Sequence, residues 1–378
     1  MADSAALRQA VKAHYEKYVY PRFSLLTSVR LCDTYALNLD ALWARFNGEW
    51  LAAHDKKILL AGCGSFSPYP TAVANKKAQI TALDLSKANL DRAKLHTRLH
   101  FCFNIEFIEG DILNAKSLLV EKRFHFIDCY GVLHHIPDLV LALKSLHSLL
   151  EEGAIARIMV YSTQARQSIQ AVRTAMKILH IDKAEKIRAL YKKAKENSRF
   201  RDCIESNYES KFDWGLADMF LHPYAKTFKI DELLDTLQQA RLEPILFIHP
   251  NACINTAEEI QRLRKIESNN GPSTNFIFFA GCMEDTQKRR AWQHAKQTQD
   301  ICIALNPVIK KALSLFPFPP LKPGQKLGFE NPAIDFKANR LLAHFQQPLR
   351  KSTLSPDRWD AIQPYLQAMF LIETANPS

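Results

Sequence analysis

Short apolar runs, each ending at a glycine or a turn-forming residue and each followed by a helix-forming stretch, recur through the first half of this chain. No other feature restricts its fold as much. Ile58-Leu59-Leu60-Ala61 runs into Gly62, Gln79–Leu85 into Ser86, Ile105–Ile108 towards Gly110 and Phe124–Cys129 towards Gly131, while Ala156–Tyr161 follows Gly153. Between them the spacing predicts helices over 70–78, 87–100, 114–121 and 137–150. Pro70 and Pro137 open two of these, at a position where a missing N–H costs nothing, and Ser86 is placed to cap a third. Unbroken apolar runs of this length suit strands buried on both faces, and strands alternating with helices require parallel crossovers. The fold class is therefore α/β, a doubly wound, mostly parallel, Rossmann-like sheet. Glycine numbers only 11 in 378 residues, well below the usual share of about 7%. The five that fall within 58–162 accordingly mark places where the backbone must turn.

The rest of the chain divides around this pattern. Residues 5–18 and 34–53 have helical spacing and make an N-terminal helical cap over 1–54. Residues 163–225 read as a helical, basic insertion without a convincing strand, and within 173–201 ten Lys and Arg face three acids. The alternation resumes with helix 230–240, strand Glu243–His249, helix 256–267 and strand Asn275–Gly281. These last two strands complete a seven-stranded sheet as a hairpin-like pair at one edge, and close a domain over 55–282. The remainder, 283–378, reads as a helical accessory module around Phe316-Pro317-Phe318-Pro319-Pro320.

Composition excludes several classes. Apolar residues at 47% and charged residues at 24% are the mixture of a globular chain, not of a disordered one or a coiled-coil rod. A net charge of +11 permits an anionic partner without identifying one. No apolar run approaches the roughly 18–20 residues of a membrane span, so no membrane partner is expected. The start, MADSAALRQAVK, lacks the basic and apolar regions of a secretory signal. Eight cysteines without a C-x-x-C pair read as reduced thiols in a cytoplasmic protein, with neither a disulfide framework nor a metal site.

The chemistry concentrates at the strand exits. In Gly62-Cys63-Gly64-Ser65 the glycines permit a sharp turn and a close approach of ligand to main chain. The next helix then offers free N–H groups to an anion. Asp84 ends the following strand, twenty residues after Gly64, where an acid can accept both hydroxyls of a ribose. A dinucleotide and an adenosyl sulfonium both satisfy these two features. The nicotinamide fingerprint needs a glycine three positions after Gly64, where this chain has Ser67, and hydride transfer loses weight.

Two further motifs complete the pattern: Gly110-Asp111-Ile112 after the third strand, and Gly131-Val132-Leu133-His134-His135-Ile136-Pro137-Asp138 after the fourth. With these, 58–162 resembles the catalytic domain of class I S-adenosylmethionine-dependent methyltransferases, and 226–282 fits the family's last two strands. Tyr15…Tyr20-Pro21-Arg22-Phe23 is similar to the lead-in of some bacterial members. The resemblance implies S-adenosyl-L-methionine as cofactor. Gly62, Cys63 and Gly64 would pass under its methionine part, Asp84 would hold the ribose with Leu85 beside the adenine, and Asp111 and the Ile112 backbone would serve the adenine ring. Cys129 would lie in the strand exit nearest the transferred methyl. The chain departs from the family where an acid is frequent two before the first glycine, here Leu60, and where a third glycine is frequent, here Phe66. The ammonium end of the cofactor would then be shared among Ser65, Ser67, Tyr20 and Arg22.

Methyl transfer is an in-line displacement, in which alignment supplies most of the rate. A base is needed only for an acceptor that arrives protonated. His134 and His135 are the nearest titratable candidates; His134 is assigned that role, with loop support or a contact to the cofactor as its structural alternative, and Tyr130 is assigned the positioning of the acceptor. The (D/N)PP(Y/F) run of many enzymes that methylate bases or glutamine is absent. The reading is thus a methyltransferase acting on a small-molecule acceptor. One alternative is an RNA or protein acceptor docked on the basic insertion. The other, kept open by Leu60 and Phe66, is a cofactor-binding partner protein without catalysis.

Overall fold

The computed structural model describes residues 2–52, 56–315 and 321–376. Seven strands form the central sheet: β1 Lys57–Ala61, β2 Gln79–Asp84, β3 Ile105–Glu109, β4 Phe124–Tyr130, β5 Leu150–Val160, β6 Leu242–Phe247 and β7 Phe276–Cys282. Their order is β3-β2-β1-β4-β5-β7-β6, parallel throughout except that β7 runs antiparallel to both neighbours. The apolar runs become strands with two buried faces. In β1, Ile58 and Leu60 point into one core while Leu59 and Ala61 point into the other, all of them at most 1% exposed. A register slip of one residue would exchange the two sets, so the strand is held in place from both sides.

Helices cover the sheet: α1 Ala2–Lys17, α2 Leu39–Asn47, α3 Pro68–Ala74, α4 Lys87–Leu99, α5 Ala115–Leu118 and α6 Leu139–His147. Ser86 caps α4 by accepting from the Asn89 N–H. The continuous helix expected over 34–53 is instead a 3-10 turn, Leu31–Leu37, followed by α2. Gly48 ends α2 at φ +77, with a Trp292 ring 2.5 Å from where a Cβ would sit. Gly153 also differs from expectation. Rather than preceding its strand it lies inside β5, at φ +74, where the register against β4 shifts. Its N–H donates to Asp285 at 2.9 Å and its carbonyl accepts from Asn47 at 2.9 Å, so a bulge replaces the predicted break.

The insertion carries α7 Gln167–Ile178, α8 Ala184–Lys193, α9 Arg199–Glu205 and a short π-helical stretch, Ala217–Leu221. It has its own small core of Ile169, Met176, Ile187, Leu216 and Phe220. Beyond 283, the described residues form four α-helices together with an antiparallel sheet of β8 Cys302–Leu305, β9 Leu349–Arg350 and β10 Leu371–Thr374, added to the helices the sequence predicts. Strands of four and two residues are too short for a period of two to show. The proline-rich joint, 316–320, lies outside the described residues. Ile303, Phe345 and Phe370 from this segment share one apolar core with Phe46, Leu60, Phe126 and Phe279 of the sheet side. No helix among the described residues is long and apolar enough to cross a membrane, and all eight cysteines are free.

Candidate functional site

The C-terminal ends of β1 to β5 open on one cavity of about 510 Å³, where open α/β sheets receive their ligands. One wall is made by strand exits. Gly62 and Gly64 hold φ of +74 and +57, and a Cβ on Gly64 would lie 2.8 Å from the Tyr20 carbonyl oxygen. Asp84 closes this turn, its carboxylate accepting from the N–H of Gly64 at 2.7 Å and of Ser86 at 2.9 Å. Burial raises the Asp84 carboxyl, and those N–H donors oppose the rise. Cys63, Leu85, Ile112 and Tyr130 are on the wall. Burial drives the Cys63 thiol well above its ordinary range, which removes it as a nucleophile. Asp111 accepts from the Leu113 N–H at 2.9 Å and meets the Arg8 guanidinium of α1 at 3.4 Å. Tyr130 lies beneath the Arg157 guanidinium, 4.8 Å from its ring centroid, and Arg157 is held by Asp128 at 2.8 and 2.6 Å. A Cβ on Gly131 would meet nothing within 4 Å, so the space above it is open.

Three of the sequence-predicted residues stand behind this wall. The Ser65 hydroxyl donates to the Pro21 carbonyl at 2.6 Å and its N–H to Tyr20, tying the N-terminal segment to the glycine turn. Cys129 is wholly buried in β4. His134 is also fully buried, its ring stacked on Tyr161 at 3.4 Å between centroids, and the base expected there does not line the cavity. The neighbouring His135 reaches the wall instead. Its Nδ1 lies 2.7 Å from the Tyr224 carbonyl, which makes Nδ1 the protonated nitrogen, and burial lowers its pKa to about 3. His222 stacks on His135 at 3.7 Å, and its Nδ1 accepts from the Tyr224 N–H at 3.1 Å.

The opposite wall comes from the N-terminal segment and the insertion. Tyr15 donates to Asp218 at 3.0 Å, and Tyr20 donates to both oxygens of Glu209 at 3.0 and 3.1 Å. Burial raises the Glu209 carboxyl and pushes Asp218, in the π-helical stretch, up to about 7. Arg166 covers the Tyr161 ring at 3.5 Å and donates to Asn275 at 3.2 Å. None of Arg8, Tyr15, Arg166, Glu209 and Asp218 stood out in the sequence as site residues. Tyr15 was visible in the N-terminal lead-in, but its partner is 203 residues away, and no local pattern links them. Phe66, at the position of the missing third glycine, packs among Phe23, Tyr69 and His96.

Residues 53–237 match the model of a methyltransferase domain. An uncharacterised protein of a Synechococcus strain is 26% identical over 333 residues, covering 80% of this chain and 79% of its own length. The ubiquinone biosynthesis O-methyltransferase of Azotobacter vinelandii is 29% identical over 109 residues, 28% of this chain and 46% of that protein, so this chain spans about half of it. Among solved structures, PKMT2 from Rickettsia typhi superposes with a TM-score of 0.56 at 15% identity, over 95% of this chain and 77% of that one, which shows a shared fold. Residues 53–237 are thus a class I S-adenosylmethionine-dependent methyltransferase domain, with S-adenosylmethionine as cofactor.

Proposed function

We propose that the protein methylates a small-molecule acceptor bound between the strand exits and the insertion. The observation that carries this is one cavity, about 510 Å³, walled on one side by the glycine turn, Asp84, Asp111 and His135 and on the other by Tyr15, Tyr20 and Glu209. That volume lies within the range of about 300–1,000 Å³ typical of sites for one drug-sized ligand. With the cofactor in it, the space left suits a small acceptor or a slender reacting end. The 29% identical stretch shared with a ubiquinone biosynthesis O-methyltransferase supports the same reading. Nothing from 173–201 lines the cavity, which weighs against an RNA docked over the site by those basic helices.

The residues present fit the cofactor. The glycine cradle at 62–64 leaves the backbone bare, Asp84 faces the cavity to hold the ribose, and Leu85, Asp111 and Ile112 form the place for adenine, with Ser65 and Cys129 supporting from behind. When bound, S-adenosylmethionine supplies an electrophilic methyl carbon. Tyr130 and His135 position the acceptor, and insertion residues 207–209 and Met219 exclude water from it. A proton leaving the acceptor passes to Glu209 rather than to His134, since only Glu209 is on the wall. The free and mostly buried thiols suit a reducing compartment, and we place the reaction in the cytoplasm.

Calorimetry with S-adenosylhomocysteine, followed by a labelled-methyl screen of small-molecule and macromolecular fractions, tests this. One-to-one binding and label in the small-molecule fraction are expected. Label confined to RNA or protein overturns the acceptor class, and binding without any transfer makes the chain a non-catalytic partner.

A further inference from the structure

On the acceptor side of the cavity two carboxyl groups stand without an ion pair among the described residues. Glu209 lines the wall, and the hydrogen bonds it accepts come from the Tyr20 hydroxyl. Asp218 stands one step behind, accepting from Tyr15. The nearby cations are engaged elsewhere: Arg166 lies on the Tyr161 ring and bonds Asn275, while Arg173 donates to the carbonyls of Met219 and His222. His14, His135 and His222, which pack around the same group, are held neutral by burial. Glu209 is half-buried, and a carboxylate withdrawn from water in this way is costly unless a donor or a cation meets it. Here the chain gives Glu209 one hydroxyl, that of Tyr20, and its nearest cation, Arg166, makes no ion pair with it.

We propose that the acceptor supplies that cation, and that the wall around Glu209 is a recognition site for a primary or secondary alkylammonium group. An ammonium brings up to three donors and no acceptor. The free lone pairs of Glu209 and the hydroxyl oxygens of Tyr15 and Tyr20 form an acceptor-rich surface that matches it. An alcohol or phenol brings one donor and no charge, and leaves the carboxylate uncompensated. A carboxylate-bearing acceptor would add a second negative charge beside Glu209, with Arg166 already committed. The inference rests on the methyltransferase reading of the cavity and specifies the acceptor it takes.

The test uses the full chain saturated with S-adenosylhomocysteine and titrated with butylammonium chloride, 1-butanol and sodium butyrate, three probes of equal length and different head group. Butylammonium is expected to bind saturably and at least about tenfold tighter than either of the others, the scale of one charged hydrogen bond. Glu209→Gln, which keeps the shape and removes the charge, should abolish that preference while S-adenosylhomocysteine affinity stays within about twofold, and Glu209→Asp should retain part of it. Absent butylammonium binding, butanol binding as tightly, or a preference undiminished in Glu209→Gln overturns the proposal. Butyrate binding the tightest also overturns it and moves recognition to Arg166. Failure of S-adenosylhomocysteine itself to bind would instead overturn the cofactor reading, so the two failures are distinguishable.

Discussion

The wall proposed for the cofactor, at 62–131, and the wall proposed for the acceptor, at 7–23 and 207–219, face each other across one cavity, but they are held by contacts of very different reach. Gly64 donates to an acid 20 residues away and Asp111 closes on Leu113, two residues on. Across the cavity, Tyr15 meets Asp218 over 203 residues and Tyr20 meets Glu209 over 189. The first wall is mainly backbone geometry, glycines at positive φ and N–H groups at strand exits. The second is side chains, hydroxyls on carboxyls and stacked imidazoles, brought together when α1 and the insertion pack. Substitutions should therefore separate by wall: changes to the first should strike cofactor affinity, and changes to the second should strike stability, pH response and acceptor choice.

Gly64→Val should have the largest effect. A β-branched residue at φ +57, with its Cβ pressed on the Tyr20 carbonyl, is expected to cost about 3–5 kcal/mol between fold and cofactor affinity. Near-normal S-adenosylhomocysteine binding by calorimetry would break the claim that backbone shape makes this wall. His134→Ala should destabilise by about 2–4 kcal/mol in urea melts, because it empties a buried, stacked position. Its cofactor affinity should stay unchanged; a selective loss of turnover in a fully stable variant would return His134 to the chemistry.

The acceptor wall should also carry a pH signature of two opposite signs. The pKa of His14 falls from 6.5 to about 4 on folding, so its contribution is present above pH 6.5 and is lost as pH drops towards 4, by about 3 kcal/mol. Asp218 rises from 3.8 to about 7, so its contribution is present below pH 3.8 and is lost as pH rises through 7. His14→Phe should flatten the acid side of the stability profile, and Asp218→Asn should raise stability at pH 8 more than at pH 5. Melts at these pH values in which both variants track the wild type would show that the cluster is wetter than its packing indicates.

Smaller effects belong to the cofactor wall's polar groups. Asp84→Ala should weaken S-adenosylhomocysteine by about 1–3 kcal/mol, through lost ribose acceptance and a loosened Gly64 turn together. Arg8→Met should change it by less than about 1 kcal/mol, since a half-exposed pair with Asp111 is all it gives up. An effect of Arg8→Met larger than that of Asp84→Ala would mean that α1, rather than the strand exits, governs cofactor entry.

Residue order was enough for the sheet and for the cofactor wall. Apolar runs of fixed length, glycines that few other residues can replace at positive φ, and an acid at the end of the next strand are properties of contiguous residues, so Gly62, Gly64, Asp84 and Asp111 stand out before any packing is known. The two histidines show where this stops. His134 and His135 are adjacent and chemically identical, and the direction of a three-residue turn, Leu133–His135, sends one ring under Tyr161 and the other to the cavity. No period in the chain encodes that choice. The strands of four and two residues at β8 and β9 were hidden for a similar reason, since strands that short gain their pairing from neighbours brought in by the fold. Glu209 and Asp218 look like two ordinary acids in a basic insertion. They become a site because α1 and the insertion bury them together against Tyr20 and Tyr15. Burial and partners across some 200 residues exist only after the chain has packed, and those are what give a carboxyl group its chemistry.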